Sequence, residues 1–351
     1  VATFLTSNSY FGLAAETTRG TAATSGFVYV PVDTPQVTPM QRFLRDEALR
    51  GSPVQTYDQI QGVRHDEYDF KTYLYADTFP NLLTSVLGGN DLKTGAGPYT
   101  HVIAPYMNAS NGSQPKSYTL VDFDGANYFT MAGAQASDLT ITFGAEKAAD
   151  ATAKFVANPY TSGTTAPTGF SPTYSTEHMV PGWDVSVSIG GTASSQTVTG
   201  GTTINYVQDG EIKIDRKTAP IFTVNSTNGP RQNFAGPIEV TGRLLMVVDS
   251  NADLFSTGST AYGLGYQPQP LVITLADPND AGHSIAFQMS AVQFQDIKRQ
   301  RGKAFTEIEV NYVATANAND VAGGSTTHDT VYSPIRTTTI NSQTAVYQSG
   351  Y

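Results

Sequence analysis

Apolar and polar residues alternate with period two over much of the chain, the signature of strands with one packed and one wet face. Leu139, Ile141 and Phe143 fall on one side, with Asp138, Thr140 and Thr142 on the other. Ile212 and Ile214 oppose Glu211, Lys213 and Asp215. Ile238, Val240, Leu244, Met246 and Val248 oppose Glu239, Thr241 and Arg243. Ile308, Val310 and Tyr312 oppose Glu307, Glu309 and Asn311, and residues 270–277 and 284–289 read as further strands. Such alternation suits antiparallel sheets. Helical spacing is clear once, where Phe79, Leu82, Leu83, Val86 and Leu87 make an apolar stripe. Asp77 or Thr78 is placed to cap it, Pro80 fits its first turn and Gly88 its stop. Residues 250–258 are a shorter echo.

Two stretches recur. Residues 67–83 align without a gap on 239–255, with Glu67 on Glu239, Asp77 on Asp249, Leu82 on Leu254 and Lys71 on Arg243. Residues 133–157 align on 290–314, matching at Ala134 with Ala291 and at the final Val-Ala. Both pairs run in the same order at similar spacing, which argues for an internal duplication. The division expected is a first unit at 1–157, a Ser/Thr/Pro/Gly-rich linker or surface loop at 158–182, a second unit at 183–314, and a polar C-terminal arm at 315–351.

Composition narrows the classes. The 351 residues carry a formal net charge of -10, with 14% charged residues and no cysteine. A disulfide framework and a zinc–thiolate site are therefore excluded. The acidic balance disfavours binding to phosphate. The first residues lack a basic start followed by an apolar run, and no run is long enough for a bilayer. A soluble chain made in a cytoplasm is expected, with no membrane association. The same sequence would also fit a mature secreted form.

Candidate chemistry is sparse. His65, His101, His178, His283 and His328 are far apart, without metal-hydrolase spacing. No nucleophile elbow, phosphate loop or dinucleotide fingerprint occurs. Asp122 with Asp124, and Asp249 with Asp253, offer oxygens to calcium, but turn and cap roles explain them more simply. No catalytic residue, cofactor or metal is assigned. Trp183, the only tryptophan, is expected in the core. Lys298, Arg299, Arg301 and Lys303 form a basic cluster in an acidic chain, read either as a solvated hairpin tip or as a loop that docks on another copy.

Several segments in order resemble phage tail tube proteins of long, non-contractile tails. They are residues 11–23, 42–55, 65–75, 79–89, 99–105, 118–143 and 210–230. The resemblance implies a mainly β fold: two tandem tail-tube-type β-sandwich units, each with a short flanking helix, contributing strands to an intersubunit β-barrel. It implies a structural, non-enzymatic virion protein that assembles in the host cytoplasm into stacked rings. A trimer with pseudo-sixfold symmetry is expected, with a hexamer as the alternative. The partners implied are the protein itself, a tape measure protein, a tail terminator and baseplate or tip proteins, and double-stranded DNA passes without being held. Glu67, Asp69, Glu211, Asp215, Glu239, Glu307 and Glu309 are the candidates for an acidic lumen. Lys298, Arg299, Arg301 and Lys303 are candidates for contacts between rings, as is a long loop near residues 46–62. Two other readings remain open from the residues: a carbohydrate-binding or adhesive β-sandwich, and a β-rich hydrolase with dispersed carboxylates.

Overall fold

The computed structural model describes residues 3–105, 112, 114–224, 227–247, 268–280, 282–301, 304–323 and 332–347. Strand accounts for 54% and helix for 4%, so backbone hydrogen bonds between distant segments define the fold. The first half contains β1 (Tyr10–Ala15), β2 (Val28–Val30), β3 (Asp33–Asp46), β4 (Asp58–Tyr73), α1 (Pro80–Leu87), β5 (Leu92–Thr94), β6 (Tyr99–Ile103), β7 (Tyr118–Phe123), β8 (Tyr128–Gly144), β9 (Asp150–Ala157) and β10 (Thr161–Gly163). The second contains β11 (Val185–Ile189), β12 (Thr192–Ser194), β13 (Thr197–Thr199), β14 (Thr202–Ile204), β15 (Val207–Asp215), β16 (Ala219–Ile221), β17 (Gln232–Phe234), β18 (Glu239–Val247), β19 (Gln269–Ala276), β20 (Ser284–Gln300), β21 (Glu307–Ala314) and β22 (Arg336–Asn341).

One order of neighbours occurs twice, all antiparallel. In the first half it runs β2–β1–β7–β8–β9–β4–β3. In the second it runs β14–β11–β19–β20–β21–β18–β15. Irregularities recur too. The ladder between β7 and β8 slips between Tyr118/Ala134 and Leu120/Met131, and that between β19 and β20 slips between Gln269/Val292 and Leu271/Met289. Each of these bulges bends a 17-residue strand. The N-terminal part of β8 pairs with β7 and β10, and its C-terminal part with β9 and β15. One strand thus serves both layers of a sandwich.

The ladders set the correspondence between the halves two residues away from the sequence alignment. Asp66 and Val240 each face the last alanine of their neighbour, Ala157 and Ala314. Glu67 therefore matches Thr241, not Glu239. An even slip leaves every side chain on its face, so alternation alone cannot detect it.

The core lies between the layers. Phe11 of β1 stacks on Tyr68 of β4 at 5.0 Å and meets Phe70 at 4.8 Å. Val187, Gly242 and Leu244 occupy the matching places in the second half, with Val187 and Leu244 at 1% and 0% exposure. Such rings each contribute substantially through buried apolar area.

The helix is fully buried. Pro80 stands in its first turn, and Gly88 closes it at φ 76°, donating its N–H to the Thr84 carbonyl. The residue before it is Phe79, which gives no side-chain cap, so neither Asp77 nor Thr78 caps α1. Arg216, just after β15, donates from Nη1 to the carbonyls of Val86 and Leu87 at 2.6 and 2.9 Å. Burial pushes its pKa down to about 10. A cation from the second half thus satisfies the carbonyl end of the first half's helix. The expected second helix, at residues 250–258, lies outside the described residues.

Segment 158–182 and the described residues beyond 314 both take part in the packing. Residues 158–182 carry β10 and bury Phe170 and Val180. Beyond residue 314, β22 runs between β20 and β6, and the Gln343 carbonyl meets Nε2 of the buried His101 at 3.0 Å.

Candidate functional site: a solvent-facing sheet with two open edges

The two halves join through one ladder. Residues 138–144 of β8 pair with residues 209–215 of β15, from Asp138 opposite Asp215 to Gly144 opposite Asp209. The joined sheet runs β3–β4–β9–β8–β15–β18–β21–β20. Among the described residues it is not closed into a barrel. Among the described residues its outer strands are β3 and the C-terminal part of β20. Open edges expose ladder donors and acceptors that favour pairing with another strand.

One face of this sheet covers the core, through Tyr68, Phe70, Ile141, Ile212, Leu244 and Val310. The other is polar. Glu67 and Asp69 lie there on β4, Glu211 and Asp215 on β15, Glu239 at the start of β18, and Glu307 and Glu309 on β21, so the fold brings all seven candidates to one face. Glu307 is only 2% exposed.

Cations share this face in pairs. Lys154 meets Glu67 at 2.8 Å, Lys213 meets Asp138 at 3.1 Å, Lys71 meets Asp150 at 3.1 Å, and Arg243 meets Asp209 at 3.1 Å. Lys217 holds Glu239 at 2.7 Å, and Lys298 approaches Glu309 at 3.9 Å. Hydrogen bonds to Glu67 and Asp138 raise the pKa of Lys154 and Lys213. Asp69, Glu211 and Asp215 form no salt bridge among the described residues, which leaves the face a negative balance. Burial raises the Asp69 pKa, opposed by nearby Lys154.

The basic cluster divides between strand and turn. Lys298 and Arg299 are in β20, opposite Glu309 and Ile308, while Arg301 follows the strand and Lys303 lies outside the described residues. At the far end of the sheet, β3 and β4 extend as a hairpin past the rest. It exposes Phe43 (50%), Leu44 (58%) and Ile60 (57%). The spacing of residues 42–62 gave no strand signal, because both faces of this hairpin are wet.

Side chains that suggested chemistry serve the fold instead. Asp124 accepts from the backbone N–H of Ala126 and Asn127 and closes the β7–β8 turn. Asp122 is buried beside it, with a pKa pushed up to about 6, chiefly by burial, opposed by Tyr68 and reinforced by Asp124. Asp249 and Asp253 lie outside the described residues, as does His328. The exposed His178, the buried Asp277 and the half-buried Asp280 bring ligand atoms within 4.8 Å of one another. Asp277 there accepts from the Asn279 N–H, and His178 lies 3.3 Å from Asp280. Trp183 is 63% exposed, not in the core. It stands in the turn between the bridge that ties Pro181 to Ala148 and the start of β11, and turns run along the surface.

The family described as "Phage tail tube protein" matches residues 6–333. The chain belongs to that family. A phage tail tube protein is a structural component of the virion tail, and the mainly β fold agrees with this. No helix among the described residues of this tail tube protein is long and apolar enough to cross a membrane. The curated proteins include no match to it.

Proposed function

We propose that the chain self-assembles into rings, that the rings stack into the tail tube, and that the polar face of the eight-strand sheet lines the channel. The observation that supports this is the joined sheet itself: one face covers the core, the other is wet and acid-rich, and the outer strands are open. Nothing in that arrangement needs a reacting group, so the function is mechanical and not catalytic.

Sheet geometry favours three chains per ring over six. Strands about 4.8 Å apart, tilted about 40°, close into a barrel about 48 Å across when roughly 24 strands take part. Three chains supply that number. Six would give a barrel of about 95 Å, far wider than a duplex requires. Each chain thus acts as two fused units, from a tandem duplication with units near residues 1–157 and 183–314, and the trimer has pseudo-sixfold symmetry.

Asp69, Glu211 and Asp215, which have no salt bridge among the described residues, repel phosphate, while Glu67, Glu239 and Glu309 are partly neutralised by their lysines. DNA passes such a wall without gaining counterion-release affinity. The exposed apolar β3–β4 hairpin reaches the neighbouring ring. A tape measure protein inside the channel, and terminator and tip proteins at its ends, complete the set of partners.

The decisive experiment is electron microscopy of the purified full chain over a range of concentrations, together with immunolabelling of the virion. Rings or tubes about 48 Å across the barrel are expected. A chain that stays monomeric at high concentration and is missing from the tail would refute the proposal.

A further inference from the structure

The chain contains one strand junction twice: once complete, and once divided between its two ends. The complete copy is the β8–β15 ladder, in which Thr140 faces Lys213, Ile141 faces Ile212 and Thr142 faces Glu211. The matching strand of β8 in the second half is β20. Thr140, Ile141 and Thr142 face Thr152, Ala151 and Asp150 of β9, whereas Lys298, Arg299 and Gln300 face Glu309, Ile308 and Glu307 of β21. The matching strand of β15 in the first half is β3. Glu211, Ile212 and Lys213 face Arg243, Gly242 and Thr241, whereas Gln36, Val37 and Thr38 face Asp69, Tyr68 and Glu67.

We propose that residues 298–300 of one copy pair antiparallel with residues 36–38 of the next copy, in the register of the internal junction. Lys298 then faces Thr38, Arg299 faces Val37, and Gln300 faces Gln36. This deepens the ring reading and rests on it. It places Lys298 and Arg299 at the closure within a ring, not between rings.

Three observations carry it. First, β3 has β4 as its sole neighbour among the described residues, and β19 covers the side of β20 away from β21 only over residues 284–292, so residues 298–300 have no strand on that side among them. Second, Val37 and Ile297 are half-buried apolar residues packed against the main core at these edges. Their counterparts Ile212 and Leu139 are 0% and 1% exposed at the completed junction, and Arg299 stands where Ile141 does, so pairing the edges continues the apolar layer through Val37 and Ile297 with one cation among them. Third, both contacts are head-to-tail. The operation that carries the first half onto the second also carries the second half onto the first half of the next chain, which is what closes a ring.

The internal ladder also specifies which pairs lack mutual hydrogen bonds. The Arg216 N–H donates to the Ser137 carbonyl, and the Ala145 N–H to the Gln208 carbonyl, so even-numbered residues of β15 point their backbone groups at β8. Lys213 and Glu211 are therefore non-hydrogen-bonded positions, with Cα atoms about 4.5 Å from their partners. The same holds for Thr38 with Lys298 and for Gln36 with Gln300. Pro39 matches Ile214, a position that directs its N–H at the neighbouring strand. The ladder between chains is thus one donor short of the internal one, and prolines blunt edges in this way.

The chain has no cysteine, so introduced thiols are the only ones. The test oxidises assembled full-length chains carrying Thr38→Cys with Lys298→Cys, Gln36→Cys with Gln300→Cys, or the slipped pair Gln36→Cys with Lys298→Cys. Each double variant is checked for tubes by electron microscopy. The two in-register pairs should cross-link between chains roughly tenfold more than the slipped pair, because thiols with Cα atoms beyond about 7 Å cannot bridge. The ladder of products should end at the closed trimer. Tubes that form but cross-link in the slipped register, or not at all, overturn this inference and leave the ring reading intact. Failure of the unsubstituted chain to form rings overturns both. If the substitutions themselves block assembly, the map of unsubstituted tubes decides, by whether residues 36–38 lie beside residues 298–300.

Discussion

The two halves share a strand order and differ in nearly everything that fastens it. At the bend of β8, the Glu16 carboxylate accepts from the N–H groups of Gly20 and Gly133 and from the hydroxyls of Ser117 and Thr119. At the bend of β20, Asp320 accepts from the N–H and hydroxyl of Ser290 and from the amides of Gln288 and Asn317. Both carboxylates are buried, at 1% and 0% exposure. They come from opposite ends of the chain and satisfy donors at equivalent places. A bend in a buried strand leaves polar groups that need a partner, and which residue supplies it is a local solution.

Core volume shows the same freedom. Tyr68 faces Phe155 in the first half, and Gly242 faces Tyr312 in the second. The Tyr312 ring covers the space above the glycine, and its hydroxyl donates to the Glu211 carbonyl at 3.0 Å. Asp122, opposite Phe11, corresponds to Ile273, opposite Val187. The shared ladders build the sheet, while the differing contacts fit each half to its own surroundings.

The sharpest break in this comparison is removal of the buried carboxylates. Glu16→Ala and Asp320→Ala should each lower stability by about 4 kcal/mol, since each strands four donors. Equal losses in chemical denaturation would support equivalent roles, and a loss under about 1 kcal/mol at either site would end that equivalence.

Gly242→Ala comes next, at about 3 kcal/mol. A Cβ there would lie 2.2 Å from the Glu211 carbonyl oxygen and 2.4 Å from the Tyr312 ring, and the backbone oxygen has no room to retreat. Tyr312→Phe should not rescue it, because the carbonyl clash remains. Rescue measured by thermal unfolding would place the conflict at the Tyr312 hydroxyl instead.

Asp122→Asn tests the polar exception in the first half. The folded-state pKa is raised to about 6 from 3.8, so the folded state binds the proton more tightly than the unfolded one. Stability from this group is present below about pH 4 and is lost as pH rises through about 6. The variant should therefore exceed the parent chain by at most about 3 kcal/mol at pH 7 and show a much smaller difference at pH 4. A pH-independent difference in urea midpoints would refute the assignment.

The smallest effect on the single chain is expected from Pro39→Thr, within about 0.5 kcal/mol, because the site is at an exposed edge. Its effect on assembly should be larger, since it restores the donor that Ile214 supplies internally. Light scattering should show tubes at lower protein concentration. Unchanged or weaker assembly would mean that this edge does not meet another strand.

Much of the sheet was legible in the alternating positions. Strands around 138–143, 211–215, 239–247 and 307–314 follow from period two, and α1 from its stripe, Pro80 and Gly88. Those signals are local, and burial on one face makes them strong. The seven acidic candidates sharing one face also follow from period two once the strands are paired. The projecting part of the β3–β4 hairpin, residues 42–62, was not legible because both of its faces are wet. Trp183 was misjudged because a large aromatic residue usually packs inward, and only the chain's path leaves it uncovered.

By itself, the sequence determined the strand-rich class, the helix, the recurrence of a pattern and the family, since these depend on the order and type of neighbouring residues. Only the tertiary structure decided the two-residue correction between the halves, the pairing of Lys154 with Glu67, and the junction of β8 with β15. Those rest on contacts between residues far apart in the chain. An even slip or an exchanged partner leaves the alternation unchanged, while backbone hydrogen bonding and packing select a single register.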